Sequence, residues 1–147
     1  MDFESTTGDI ASLLTDIQRI RAGVVGDLCL DVYWDIDESL SEPSLETGLP
    51  TLPVRSVRSA PGGAANVARN LAALGCPGVR AFGVVGSDAF GRDLRHGLHD
   101  ARVDTTSVLD GPSGWVTHAY VKPIEDRCES RRFDLGAANQ FDETTAD

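Results

Sequence analysis

The sequence predicts an α/β fold with parallel strands. Short apolar runs at 22–26 and 79–85 each end beside a glycine, as is typical of buried strands, and apolar residues recur at helical spacing at 64–74 and 89–101. Strand and then helix occur in alternation, which implies parallel β-α-β winding. With 147 residues, 41% of them hydrophobic, the chain is expected to close one core as a single domain.

The first element is predicted to be an amphipathic helix within residues 1–20. A polar start at residues 5–7 can cap its first turn. Apolar residues then recur at helical spacing: Ile10, Leu13, Leu14, Ile17 and Ile20.

A buried strand at 22–26 is predicted next, leading into a functional loop after Gly26. Residues 35–52 are acidic and rich in Ser and Pro, which predicts a loop because proline prevents a long helix. An extended segment is predicted at 51–59.

Two helices flank the second apolar strand. The first follows Pro61-Gly62-Gly63, carries its apolar residues on one face and ends at Gly75. The second, at 89–101, follows the turn at 86–88 and has the same periodicity.

Beyond Val103 the pattern changes to short alternating stretches, which predict strands. They lie at 106–109, 115–121 and 131–135, with the last two joined by a hairpin-like link at 123–129. The aromatic residues Trp115 and Tyr120 are assigned to packing on a strand face.

Charge excludes two classes of partner. The formal net charge is −10, which repels both a nucleic-acid backbone and an anionic membrane surface. The cysteines at 29, 76 and 128 form no disulfide or zinc pattern, and no apolar run reaches the roughly 18 residues of a membrane span. A cytoplasmic protein with no nucleic acid or membrane partner is expected.

The Gly62-Gly63 pair before a helix is a candidate binding turn. Without side chains, the backbone can approach a ligand, and the free N–H groups of the helix favour polar oxygen there. Asn66 in the first turn offers both a donor and an acceptor, which suits sugar hydroxyls. The same pattern also serves as a turn and helix cap with no ligand.

Asp27 and Asp31 are candidate ligand contacts at the end of the first strand. Open parallel sheets bind ligands at this edge, and carboxylates accept hydrogen bonds from hydroxyl groups. Their spacing of four also suits a metal site or a solvated turn, and Asp27 alone also suits a loop cap. Asp31 is the favoured contact.

The order of these motifs resembles the PfkB family of carbohydrate kinases. The resemblance rests on residues 24–31 (VVGDLCLD), 61–68 (PGGAANVA), 83–86 (GVVG) and Asp88. The Gly-Asp-x-x-x-Asp start and the later stretch 132–134 are most similar to heptose-phosphate kinases, including those fused to a nucleotidyltransferase.

The resemblance implies the N-terminal part of a ribokinase-like three-layer αβα fold with a small β-strand lid. The lid segments would lie at about 32–59 and 114–135 of a domain spanning 21–147. By the family pattern Asp31 grips sugar hydroxyls, the turn holds the ring through Gly62, Gly63 and Asn66, and Asp27 is a secondary contact.

Several residues on the second lid segment are candidates for binding a phosphorylated sugar, because a phosphate needs cationic and polar partners. They are Thr117, His118, Lys122, Arg131 and Arg132. Each also fits an ordinary surface or structural role, and His118 in particular fits a lid histidine better than a catalytic base.

The sequence departs from the family at its catalytic motif. The stretch 136–139 lacks the aspartate of the Gly-Ala-Gly-Asp motif that supplies the general base, and the nucleotide pocket and any Walker-type loop are missing. ATP and Mg²⁺ are expected for the complete enzyme and none for this chain alone. No catalytic or metal-binding residue is therefore predicted, and the chain alone is expected to be inactive.

The expected function is that of a sugar or sugar-phosphate kinase, of which this chain represents the sugar-recognising half. A homodimer through the lid is a further expectation. The alternative is a non-catalytic sugar-phosphate-binding or regulatory module. A dinucleotide-binding unit is disfavoured, because Gly26 is followed by Asp27-Leu28 instead of the expected glycine pattern.

Overall fold

The computed structural model describes residues 7–140, which fold into two sheets and three α-helices, with a short 3-10 helix at Glu38–Leu40. In chain order the elements are α1 (Thr7–Ile17), β1 (Arg21–Val25), β2 (Leu28–Ile36), β3 (Val54–Gly62), α2 (Gly63–Ala73), β4 (Gly78–Val85), α3 (Ala89–Asp100), β5 (Asp104–Asp110), β6 (Ala119–Glu125), β7 (Cys128–Glu129) and β8 (Phe133–Leu135). The predicted α/β class is confirmed.

The first sheet contains three parallel strands in the order β1-β4-β5. Its inward side chains, such as Val24 and Ala81, are buried and form part of the core. Its outward side chains, such as Val25 and Phe82, are exposed within the described part of the chain. The parallel winding predicted from the repeated strand and helix is confirmed.

The helices agree with the sequence pattern. The Asp88 carboxylate caps α3 by accepting a hydrogen bond from the Gly91 N–H, and Gly75, at a φ of 96°, follows the end of α2. Helix α1 forms as predicted from residue 7, although Leu13 and Leu14 on it are exposed; residues 1–6, with most of the predicted cap, lie outside the described residues.

The second sheet has the order β3-β2-β6-β7, with β8 also paired to β6. Strand β2 is antiparallel to β3 and parallel to β6. The loop predicted after Gly26 is wrong, because the chain forms β2 as far as Ile36. The hairpin link predicted at 123–129 is shorter than expected, because β6 continues to Glu125 and the antiparallel β7 begins at Cys128.

Pro123 fits inside β6 because of its place in the sheet. On one edge β6 pairs with β8 at residues 119–121 and with β7 at 124–125, so Pro123 lies between the two partners. Its carbonyl accepts a hydrogen bond from the Ser130 N–H at 3.1 Å. A missing N–H therefore costs the ladder nothing at this position.

The two sheets share one core. Leu28, Leu30 and Val121 from the second sheet are fully buried, and so are Leu94 and Leu98 of α3. None of the helices described between residues 7 and 140 is long and apolar enough to cross a bilayer.

Candidate functional site

Strand β2 presents two chemically different faces. Leu28, Leu30 and Val32 point into the core, and the alternate positions Asp31 and Tyr33 lie on the opposite face. On the neighbouring β6 the same alternation buries Ala119 and Val121. We call the surface formed by Asp31, Tyr33, Tyr120 and Lys122 the polar face.

An ion pair lies at the centre of the polar face. Lys122 Nζ is 2.6 Å from Asp31 Oδ1 and 5.0 Å from the centroid of the Tyr33 ring. The hydrogen bond to Asp31 raises the pKa of Lys122, which outweighs the opposing effect of burial. The lysine therefore stays charged beside the carboxylate over the physiological range of pH.

The glycine turn packs directly against Asp31. A Cβ at Gly62 would stand 2.6 Å from Asp31 Oδ2, so a side chain there would have to displace the carboxylate. Gly63 has a φ of 52°, and a Cβ there would stand 2.6 Å from the carbonyl oxygen of Asp27. The missing side chains at both positions thus let the turn bring α2 close beside Asp31.

The start of α2 lies next to the end of β1. The Ala64 N–H donates a hydrogen bond of 2.8 Å to the Asp27 carbonyl oxygen, which joins the two elements. Asn66 follows in the first turn and is half-buried. The N-cap residue Gly62 has no side chain, so it makes no side-chain hydrogen bond to the N-terminal N–H groups of α2.

A second polar group surrounds the Asp27 side chain, which is half-exposed. The Tyr120 hydroxyl lies 3.5 Å from Asp27 Oδ2, and His118 Nδ1 lies 3.8 Å from Oδ1. The negative charge of Asp27, with a smaller contribution from burial, raises the pKa of Tyr120. Tyr120 therefore remains a hydroxyl donor at neutral pH.

Cys29 lies beneath the glycine turn. Its Sγ would be 2.9 Å from a Cβ at Gly62 and 3.1 Å from one at Gly63, and only 2% of the residue is exposed. Burial, followed by the charges of Asp27 and Asp31, raises the pKa of Cys29 to about 11. This thiol is a protonated packing group.

The structure brings together most of the residues singled out from the sequence. Around the polar face and the glycine turn lie Asp27, Asp31, Gly62, Gly63, Asn66, His118 and Lys122. Arg132 lies at the margin of this group. It forms an ion pair of 2.6 Å with Asp134, and its guanidinium lies 5.0 Å from the centroid of the Tyr120 ring.

Thr117 does not join this group. It is fully buried, and its Oγ1 accepts a hydrogen bond of 2.8 Å from the Gly86 N–H. A ligand on the polar face cannot contact this hydroxyl, so Thr117 acts within the protein.

Tyr120 was missed as a site residue. The sequence pattern predicted that Tyr120 packs on a strand face. In the structure its ring lies on the polar face with its hydroxyl toward Asp27. The signal was its spacing of two from Lys122, since residues two apart share one face of a strand.

An open cavity of about 470 Å³ adjoins the site beyond Asp27 and His118. Its other walls are mainly apolar and include Val25, Phe82 and Trp115. Within residues 7–140 no group of three or more His, Cys, Asp or Glu side chains could hold a metal ion. The described residues therefore provide no metal site built from these side chains alone.

Residues 24–143 match the model of the pfkB family of carbohydrate kinases. The chain belongs to this family. The resemblance inferred from the glycine turn and its neighbouring motifs is confirmed.

Two curated relatives match about 70% of the chain. The bifunctional protein HldE of Geotalea uraniireducens is 41% identical over 105 residues, which are 71% of this chain and 21% of that protein. HldE of Shigella sonnei is 39% identical over 102 residues, or 68% of this chain and 21% of that protein. This chain thus spans about a fifth of the length of these relatives.

Solved pfkB-like structures confirm the ribokinase-like fold. The ribokinase of Arabidopsis thaliana, complexed with ribose and ATP, superposes with a TM-score of 0.61 at 23% identity, over 78% of this chain and 35% of that one. The fructokinase of Vibrio cholerae, bound to fructose, ADP and calcium, gives a TM-score of 0.53 at 26% identity, over 81% of this chain and 33% of that one.

Proposed function

We propose that this chain provides the sugar-binding part of a kinase that transfers a phosphoryl group from ATP to a sugar hydroxyl. The observation that carries the proposal is the packing of the Asp31 carboxylate against the Gly62-Gly63 turn, beside the N-terminus of α2. This arrangement sits in a chain that belongs to the pfkB family.

Each part of the arrangement has a role in holding a sugar. The carboxylate of Asp31 accepts hydrogen bonds from hydroxyl groups, and the bare backbone at Gly62 and Gly63 lets a ring approach closely. The Asn66 amide supplies a donor and an acceptor at the same helix end. Lys122 holds the Asp31 carboxylate in a fixed direction by its contact of 2.6 Å.

A phosphorylated sugar is the proposed substrate class, with heptose phosphate first. Cations border the polar face on two sides: Arg58 lies 5.1 Å from the Tyr33 ring centroid, and Arg132 lies 5.0 Å from that of Tyr120. An arginine matches a phosphate group through paired N–H donors. The neighbouring carboxylates that now hold these arginines, Asp35 and Asp134, are exchanged for the phosphate on binding.

The second sheet is proposed to act as a lid over the sugar, with segments at about 32–59 and 114–135, and to join two copies into a dimer. Its long strands β2 and β3 extend well past the shared core, since their far residues are exposed or half-exposed. ATP and Mg²⁺ belong to the complete cytoplasmic enzyme. We assign the described residues sugar recognition alone and no step of the transfer.

The test is to express the complete gene product that contains these residues and to assay ADP release with heptose phosphate, ribose and fructose phosphate. Phosphorylation of at least one of these sugars is expected. Inactivity with all three would contradict the kinase assignment.

A non-catalytic sugar-phosphate-binding module is the second candidate. It is favoured by the arrangement itself, because Asp31 and the glycine turn can bind sugar hydroxyls without a nucleotide. The ADP-release assay, with calorimetry added, separates the two candidates. Such a module would bind sugar phosphate in calorimetry and would release no ADP.

A further inference from the structure

Thr117, which precedes Tyr120 of the polar face by three residues, is hydrogen-bonded to the start of α3. The Gly86 N–H donates a hydrogen bond of 2.8 Å to Thr117 Oγ1, and the Thr117 N–H donates one of 2.8 Å to Asp88 Oδ2. The other carboxylate oxygen of Asp88 accepts the Gly91 N–H, also at 2.8 Å. One aspartate therefore connects the first turn of α3 to the residue that precedes β6 by two positions.

We propose that Thr117 and Asp88 are positioning residues, which set where His118, Tyr120 and Lys122 stand relative to Asp27 and Asp31. The inference rests on the proposed function, because it concerns the geometry of the same sugar site. It gives Thr117 a role through the protein in place of the direct ligand contact expected from the sequence.

The junction has no space in which to shift. A Cβ at Gly91 would stand 2.1 Å from the Gly86 carbonyl oxygen and 2.8 Å from Thr117 Oγ1. A Cβ at Gly86 would stand 2.6 Å from the Trp115 carbonyl oxygen. The backbone at Gly86 and Gly91 thus packs closely against Thr117 and its neighbours, with no room for a methyl group at either glycine.

This fixed point determines which side chains β6 places on the polar face. Side chains alternate along a strand, so Tyr120 and Lys122 face Asp31 only while the register of β6 against β2 is kept. The Leu30 N–H donates to the His118 carbonyl oxygen at 2.9 Å, immediately after Thr117, and begins that register. The hydroxyl of Thr117 and the carboxylate of Asp88 thus act on the site through the strand that follows them.

The positioning role is separable from packing by substitution. Thr117→Val keeps the shape of the side chain and removes the hydroxyl, so the Gly86 N–H loses its partner. Thr117→Ser keeps the hydroxyl. Val103→Ala, in the buried residue before β5, is the matched control, because it lowers stability away from β6.

The experiment measures amide hydrogen exchange in residues 118–125 and the Kd for heptose phosphate by calorimetry, on the 147-residue chain. Thr117→Val is expected to speed exchange selectively in this segment and to raise the Kd about tenfold, which corresponds to the loss of one buried hydrogen bond. Thr117→Ser is expected to restore both values. Val103→Ala should change neither selectively.

The proposal is overturned if Thr117→Val leaves exchange in 118–125 at the wild-type rate, or if it speeds exchange there while the Kd stays unchanged. If the wild-type chain binds no sugar, the proposed function fails, and the exchange result with its serine rescue still decides the positioning role. If Thr117→Val does not fold, Asp88→Asn decides. Its amide oxygen can still cap α3 at Gly91, and its NH₂ group cannot accept from the Thr117 N–H.

Discussion

Lys122 Nζ lies 2.6 Å from Asp31 Oδ1, although the two residues are 91 positions apart in the sequence. Their strands β6 and β2 are parallel neighbours, and the other oxygen of Asp31 faces the backbone of Gly62. The carboxylate is therefore held between Lys122 and the glycine turn.

Substitution of the two glycines of the turn is expected to have different effects on stability and on sugar affinity. In Gly62→Ala the new methyl meets the side chains of Asp31 and Cys29, which can move, so the free energy of unfolding falls by about 1 kcal/mol while sugar affinity falls at least tenfold. In Gly63→Ala it meets the Asp27 carbonyl oxygen at a φ of 52°, and the loss is about 2 to 4 kcal/mol.

Urea unfolding and calorimetry on both variants check this prediction. Equal losses of stability in the two variants would show that the close contacts in the turn do not determine its shape.

The contact between Tyr120 and Asp27 is measurable by titration. The chain has two tyrosines, so in Tyr33→Phe the change of ultraviolet absorbance with pH reports Tyr120 alone. Because the charge of Asp27 raises the pKa of Tyr120, adding Asp27→Asn is expected to lower that pKa toward the ordinary value of about 10. An unchanged titration would place Asp27 too far from the hydroxyl to matter.

The three cysteines are expected to differ in reactivity toward iodoacetamide. Cys128 is exposed, whereas Cys29 and Cys76 are buried, and burial with two nearby carboxylates raises the pKa of Cys29 to about 11. Mass spectrometry should find Cys128 modified in the native chain and all three modified in urea. Rapid labelling of Cys29 in the native chain would contradict its place beneath the glycine turn.

Asp88 is expected to make the free energy of unfolding depend on pH in the acidic range. Burial opposes its ionisation, but hydrogen bonds from the Thr117 and Gly91 N–H groups outweigh that effect and lower the pKa of Asp88. Its stabilisation is therefore complete above the ordinary pKa of about 3.9 and is lost as the pH falls through the lowered value.

Unfolding free energies of the wild type and Asp88→Asn should differ by about 1 kcal/mol at neutral pH, and the difference should close below about pH 4. Asp93→Asn, on the exposed side of the same helix, is the control and should show no such difference. A gap that persists in acid would mean that Asp88 acts through something other than its charge.

Local signals were sufficient for the helices and for the parallel sheet. The apolar spacing in α2 and α3, with Gly75 after one and Asp88 before the other, predicted both helices to within about one residue. The glycine turn and Asp31 were also singled out, because each lies within its own short contiguous motif.

The second sheet could not be predicted in the same way. Its pairing of β2 with β6 joins residues far apart in the chain, and no local pattern encodes which strands become neighbours. For the same reason the fully buried position of Thr117 was unforeseen, since its partners Gly86 and Asp88 lie about 30 residues earlier.

The central claim, that Asp31 and the glycine turn bind a sugar, is tested most directly by calorimetric titration of the 147-residue chain with heptose phosphate, ribose and fructose phosphate. The matched control is Asp93→Asn, because Asp93 is an exposed carboxylate on α3 outside the polar face. Saturable binding of at least one sugar is predicted, weakened about 10- to 100-fold by Asp31→Asn and unchanged in the control. Absence of binding to all three, or binding that Asp31→Asn leaves intact, would contradict it.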